Sequence, residues 1–143
     1  MAEHAAQQAP LRSLTVIDLG QIYNGSDATL LMAMAGARVI KIEPKGGEHL
    51  RRRASVGGAA LPFAMLNSDK LSATLDLKTA RGGELLRAMV PRADVLLENF
   101  APGTMERLGH GWEALKQVIR APSTHLVRAM DLAAPTGTTP PWT

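Results

Sequence analysis

Short apolar runs bounded by glycine, proline or polar residues punctuate this chain, and stretches with a helical apolar period lie between them. Residues 14–19, LTVIDL, form the first such run, followed by Gly20 and Gly25. Ser26-Asp27 are of the types that cap helices, and ATLLMAMAGA follows them with strong helix formers. RVIKIE over 38–43 alternates apolar and charged residues, with β-branched Val39, Ile40 and Ile42, and predicts a strand. Pro44 and Gly46-Gly47 break it. SATLDL over 72–77 predicts a third strand, and Lys78-Thr79 lead into a helix with Leu85, Leu86, Met89 and Val90 on one face. ADVLLENF over 93–100 is nearly continuous in apolar residues, as expected of a strand covered on both faces. Pro102-Gly103 end it, before a helical turn over 104–108 and a helix over 112–118.

Alternation of strands and helices predicts an α/β fold with a largely parallel sheet and right-handed crossovers. Ligands in such sheets gather beyond the carboxyl ends of the strands. Those ends are 20–25, 43–47, 77–78 and 99–107.

Composition narrows the classes. The 143 residues suffice for one core, and no apolar run reaches the roughly 18–20 residues that cross a bilayer. The first ten residues lack the order of a signal peptide, so a cytoplasmic protein without a membrane partner is expected. The absence of cysteine excludes disulfides, thiolate metal sites and a cysteine nucleophile. A net charge of +3 permits an anionic partner, while 3% aromatics leave few platforms for stacking on single-stranded nucleic acid.

Several residues carry candidate chemistry. Gly20 and Gly25 have P-loop spacing, but Ser26-Asp27 replace the required Lys-Ser/Thr, so a tight strand-to-helix turn is the better reading. Arg51-Arg52-Arg53 suit either phosphate binding or a solvated basic stretch, and the latter is expected. Lys78 and Arg107 each follow a strand and would suit one anion if they converged; each alone reads as a surface charge. The four histidines show no ligand spacing, so no metal is expected. Asp18 and Asp76 suit hydrogen bonding or turns better than catalysis, and Met32, Met34, Met65 and Met89 read as core filler. Asn99 is polar at the end of an apolar strand, which marks it for function. Physical chemistry alone reaches a nucleotide-like anion binder.

The order of motifs goes further. LTVIDLGQIYNG, AGARVIKIEPKGGEHLRR, NSDKLSATLDLKTARG and ADVLLENFAPGTMERLGHGWEAL resemble, collinearly over 11–118, the family III CoA-transferases, also called the CaiB/BaiF family. The resemblance covers about the first quarter of a member. It implies a Rossmann-like large domain, incomplete here, that takes coenzyme A or acyl-CoA as substrate with no permanently bound cofactor. A carboxylic acid would be the other partner, with no nucleic acid. The interlocked homodimer of complete members is not carried over to this fragment. On the formyl-CoA transferase pattern, CoA contacts fall on Tyr23, Asn24, Pro44, Leu75, Asp76, Leu77, Lys78, Asn99, Phe100, Ala101 and Arg107. Lys78 and Arg107 would face the 3′-phosphate and diphosphate, and backbone around Leu75 and Asn99 would frame adenine and pantetheine.

Departures from the pattern bear on these roles. Ser26 stands where many members have proline, and Tyr23-Asn24 replace Gln-Ala of the formyl enzyme. Pro44 replaces an arginine, which removes a phosphate contact, and Asp69 and Leu71 interrupt the usual N-x-N-K-R-S. The family's nucleophilic aspartate attacks the thioester to give a mixed anhydride and then an aspartyl-CoA thioester. Neither Asp94 nor Asp131 stands in its motif, so no catalytic residue is assigned and no transfer is expected of this chain alone. Two other readings stand beside this one: a non-catalytic CoA- or nucleotide-binding module, and a fragment of a methylacyl-CoA racemase-like enzyme. A weak nucleic-acid binder acting through Arg51–Arg53 is a third.

The expected organisation is a disordered 1–10, a CoA-binding part over 11–118, and an irregular tail over 119–143. After Val118 the family continues with a strand bearing YAS and then the nucleophile segment; the Thr/Pro-rich tail resembles neither. A one-nucleotide frameshift just after Val118 is the expected origin of this tail. Read one base earlier, the only codon of Met130 forces a glycine, and that of Trp142 forces an aspartate at the nucleophile position. Loss of the YAS strand is expected to leave a sheet edge uncovered.

Overall fold

A computed structural model of the chain describes residues 9–53 and 55–119, together with the backbone of 125–128. The expected disorder over 1–8 lies outside the described residues, whereas Ala9 and Pro10 lead into a turn packed on Gly36. Five parallel strands form one sheet in the order β3-β2-β1-β4-β5. They are β1 (Thr15–Asp18), β2 (Arg38–Glu43), β3 (Leu71–Thr74), β4 (Val95–Glu98) and β5 (His125–Arg128). The helices between them are α1 (Asn24–Met34), α2 (Leu61–Asn67), α3 (Ala80–Met89), α4 (Thr104–Arg107) and α5 (Trp112–Leu115), with a 3-10 turn at His49–Arg52. The order reverses between β1 and β4, which is where open α/β sheets form ligand crevices.

The period of two along β1 divides the core. Val16 packs with Ala33, Ala37 and Val39 beneath α1. Its neighbour Ile17 packs with Leu86, Val90, Leu96, Met105 and Leu115 under α3, α4 and α5. Each fully buried Leu or Ile here contributes about 1.5–3 kcal/mol. Burial on both faces explains the apolar runs of β1 and β4.

Several expectations are corrected. Ser26 and Asp27 lie inside α1, which begins at Asn24 after Tyr23 and has no side-chain cap. β3 ends at Thr74, so Leu75–Leu77 form a loop whose leucines turn back onto the core. Thr79 caps α3, its Oγ1 accepting from the Gly82 N–H at 3.1 Å. Met34 and Met65 are exposed, not core filler. The tail, expected to be irregular, contributes β5 in register from Val95↔His125 to Glu98↔Arg128, so the outer edge of β4 is paired. The frameshift itself concerns residues that lie mostly outside those described.

Candidate functional site

At the carboxyl end of β1 the chain must turn sharply into α1, and a pair of glycines permits it. A Cβ at Gly20 would lie 2.9 Å from the Gly25 carbonyl carbon, so backbone packs on backbone there. Beyond this contact Ile22 takes a left-handed φ of +62°, a strained value for a β-branched residue, at about 1–3 kcal/mol. Two side chains hold the turn. Asn99, just beyond β4, accepts from the Gln21 N–H at 2.7 Å and donates to the Gln21 carbonyl at 2.9 Å. Buried Glu48 accepts from the N–H groups of Ile22 at 2.8 Å and Leu50 at 2.9 Å.

Beneath the loop lies a buried charged cluster. Asp18 is fully buried and accepts from Gly20 N–H (2.7 Å), Thr29 Oγ1 (2.6 Å) and Lys70 Nζ (3.1 Å). Lys41 pairs with it at 3.6 Å and donates to Ser26 Oγ at 3.0 Å and to the Gly20 carbonyl. Lys70 also donates to the Ser26 carbonyl, Thr29 Oγ1 and Asn67 Oδ1. Burial lowers the Lys70 pKa, and Asp18 opposes that shift. The cluster ties β1, β2, α1 and the segment after α2 together.

Glu43 at the end of β2 accepts from Arg51 Nε (2.6 Å) and Nη2 (2.7 Å), Ser72 Oγ (2.7 Å) and the Glu48 N–H (3.1 Å). The Arg51 hydrogen bonds hold its pKa down at about 2, against desolvation. Arg51 also lies 3.7 Å from the Phe63 ring centroid. The first arginine of the basic run is therefore held in a structural pair with Glu43.

A cavity of about 180 Å³ opens where these carboxyl ends meet, with largely apolar walls. Leu19 and Gln21 follow β1, Ile42 to Pro44 end β2, Leu75–Lys78 follow β3, and Phe100, Thr104 and Leu108 come from the β4 side. Of the expected positions it gathers Pro44, Leu75, Asp76, Leu77, Lys78 and Phe100. Asn99 instead clasps Gln21, and Tyr23, Asn24 and Ala101 lie outside the cavity. Arg107 is exposed and donates to Thr104 Oγ1 at 2.8 Å, one residue removed from the lining. Gln21, Glu43 and Thr104 lie at the expected strand ends without being singled out there, and Leu19, Ile42 and Leu108 lie outside them, because their place follows from the β1 turn, the end of β2 and α4. Asp76 accepts from the Lys78 N–H at 3.1 Å, which leaves the Lys78 ammonium without a carboxylate partner among the described residues. Among the described residues no group of histidines and carboxylates could hold a metal ion, and no helix is long and apolar enough to cross a membrane.

The sequence profile described as CoA-transferase family III matches residues 11–121. The chain is 38% identical over 112 residues to formyl-CoA:oxalate CoA-transferase of Streptomyces avermitilis, a match that covers 76% of this chain and 27% of that protein. It is 42% identical over 109 residues to succinyl-CoA–D-citramalate CoA-transferase of Chloroflexus aurantiacus, covering 74% of this chain and 27% of the relative. The chain thus spans about a quarter of the length of these curated relatives. Among solved structures, a hypothetical protein of Mycobacterium tuberculosis superposes with a TM-score of 0.77 at 37% identity, over 84% of this chain and 33% of that one. A CAIB/BAIF family protein of Brucella suis gives 0.72 at 35% identity, over 78% and 31%.

Proposed function

This chain belongs to CoA-transferase family III, and on that premise we propose that the carboxyl end of its sheet binds the CoA portion of an acyl-CoA thioester for transfer of CoA to a carboxylic acid. One observation carries the reading. The apolar cavity beyond β1, β2 and β3 is walled by Leu75–Lys78, Pro44 and Phe100, positions expected from the family motifs to meet CoA. Its volume, about 180 Å³, is below the roughly 300–1,000 Å³ of a complete small-molecule site, and suits one part of an extended ligand. Apolar walls suit the adenine or pantetheine portion, and the Lys78 ammonium at the rim suits a phosphate.

Chemistry at the thioester needs a carboxylate able to attack, and neither carboxylate lining the cavity is so placed. Glu43 is ionised but is held by Arg51 and Ser72. Asp76 is turned to the Lys78 N–H. In this proposal the described residues bind and orient, and the 143-residue chain transfers no CoA alone.

Calorimetric titration tests it. CoA is expected to bind saturably in the micromolar range. Thr104→Trp, which places bulk at the cavity rim, is expected to weaken it about tenfold or more. Absence of CoA binding by the folded protein, or an unaltered affinity in Thr104→Trp, overturns the cavity assignment. CoA transfer between formyl-CoA and oxalate by the purified chain would overturn the non-catalytic part.

A further inference from the structure

At the amino end of the sheet, opposite the cavity described above, β3 starts late. Its first residue, Leu71, pairs with Ile40, so Arg38 and Val39 have no strand beside them on that flank among the described residues. A recess of about 250 Å³ lies there, between the sheet and the end of α3. The register of β1 on β2 builds its sheet-side wall, with Thr15 beside Arg38 and Ile17 beside Ile40. Because strand side chains alternate, all four stand on the face that α3 covers. Met89, the last residue of α3, forms the other wall with Arg92 and Ala93, at the end of the 3-10 turn Val90–Arg92.

The recess is divided in chemistry. Ile17 and Ala93 are buried, and Ile40 and Met89 are half-buried against the same core, so its inner part is aliphatic. Arg38 and Arg92 are exposed at its rim, one from each wall. Neither has a carboxylate partner among the described residues, whereas Arg51 and Arg81 are paired with Glu43 and Glu84. Asp94, close by in the chain, accepts from the Thr15 N–H at 2.8 Å and pairs with neither arginine. The carboxyl end of α3 sets only about half a negative charge against two guanidinium charges, so the rim stays positive. Each guanidinium fork matches a carboxylate in shape and charge. We infer that this recess binds a short aliphatic carboxylate, with its chain on Ile17, Ile40 and Met89 and its charged end between Arg38 and Arg92. The inference does not rest on CoA binding, since the two openings share no residue.

Titration of the 143-residue chain with hexanoate, hexanol and acetate, followed by NMR of the methionine methyl groups, tests the inference. Hexanoate is expected to saturate and to move the Met89 signal, assigned by its absence in Met89→Leu, while the exposed Met34 and Met65 stay still. Shorter acids are expected to lose affinity about fourfold for each methylene removed, down to acetate. Hexanol, which has the tail without the charge, is expected to bind about tenfold more weakly than hexanoate. Arg38→Gln and Arg92→Gln, both at exposed positions, are each expected to weaken hexanoate about tenfold and to leave hexanol within about twofold. Failure of hexanoate to move Met89, equal shifts at Met34 and Met65, or hexanol binding as tightly as hexanoate would overturn the inference. So would an affinity unaltered in either arginine variant, or acetate binding as tightly as hexanoate.

Discussion

Replacing Asp18 by asparagine is the sharpest test of what holds the β1 end together. The side chain keeps its volume but loses the carboxylate that pairs with both Lys41 and Lys70, whose side chains are each 1% exposed. At separations of 3.6 and 3.1 Å each pair has a gross attraction of about 5 kcal/mol at an effective dielectric constant near 20. Much of that offsets desolvation of the three charges, so the measurable loss on removing one partner is about 3–5 kcal/mol. The amide also brings a donor into a site where Gly20 N–H, Thr29 Oγ1 and Lys70 Nζ all donate. A pH signature distinguishes this from loss of packing. Without Asp18, the main opposition to the downward shift that burial imposes on Lys70 is gone, and the smaller pull of Asp27 is left against it. Between its folded pKa and 10.5 the unfolded chain binds more protons than the folded one, so stability rises with pH through that window. Urea unfolding followed by circular dichroism at neutral and alkaline pH is expected to show a deficit in Asp18→Asn that shrinks as pH rises. A loss below about 1 kcal/mol, or a deficit independent of pH, would refute the reasoning.

Two other perturbations follow from local geometry. Glu43 is held at about 2, so its contribution is complete above its ordinary 4.5 and is lost as pH falls from there toward 2. With Arg51 42% exposed the contribution is discounted to about 1–2 kcal/mol, and Glu43→Gln is expected to flatten acid unfolding over that window; parallel profiles would count against it. Gly20→Ala brings a Cβ to 2.8 Å from Asp18 Oδ1 and 2.9 Å from Gly25, and is expected to lower stability by about 1–3 kcal/mol in urea unfolding. An unchanged midpoint there would mean that the α1 turn yields freely.

How legible these features are in the sequence depends on which force places each one. β2 keeps its predicted bounds because RVIKIE has both a strand period and a proline stop. Yet the burial of Lys41 and Glu43 is not visible in that run, since each meets an opposite charge from outside it: Asp18 on β1 and Arg51 in the 3-10 turn eight residues on. SATLDL keeps its apolar alternation past the end of β3, which is why the strand is overextended. α2 has seven residues and buries none fully, so it carries no pattern to read. Within the site, the run Leu75–Lys78 is visible as a motif, while Gln21 is placed by Asn99 from 78 residues away.

The central position of β1 has a consequence for how the chain comes into being. β1 joins β2 soon after both are made, but its other neighbour, β4, lies far along the chain: Thr15 N–H donates to Asp94 across 79 residues. At roughly 5–20 residues per second, a ribosome needs roughly 4 to 16 seconds to supply that partner. During this interval a hydrophobic strand has one bare side, and closing so long a loop slows folding further. Of the strands paired on both sides, the one that organises the finished sheet is thus the one that waits longest for its second neighbour, and newly made chains risk joining one another along it.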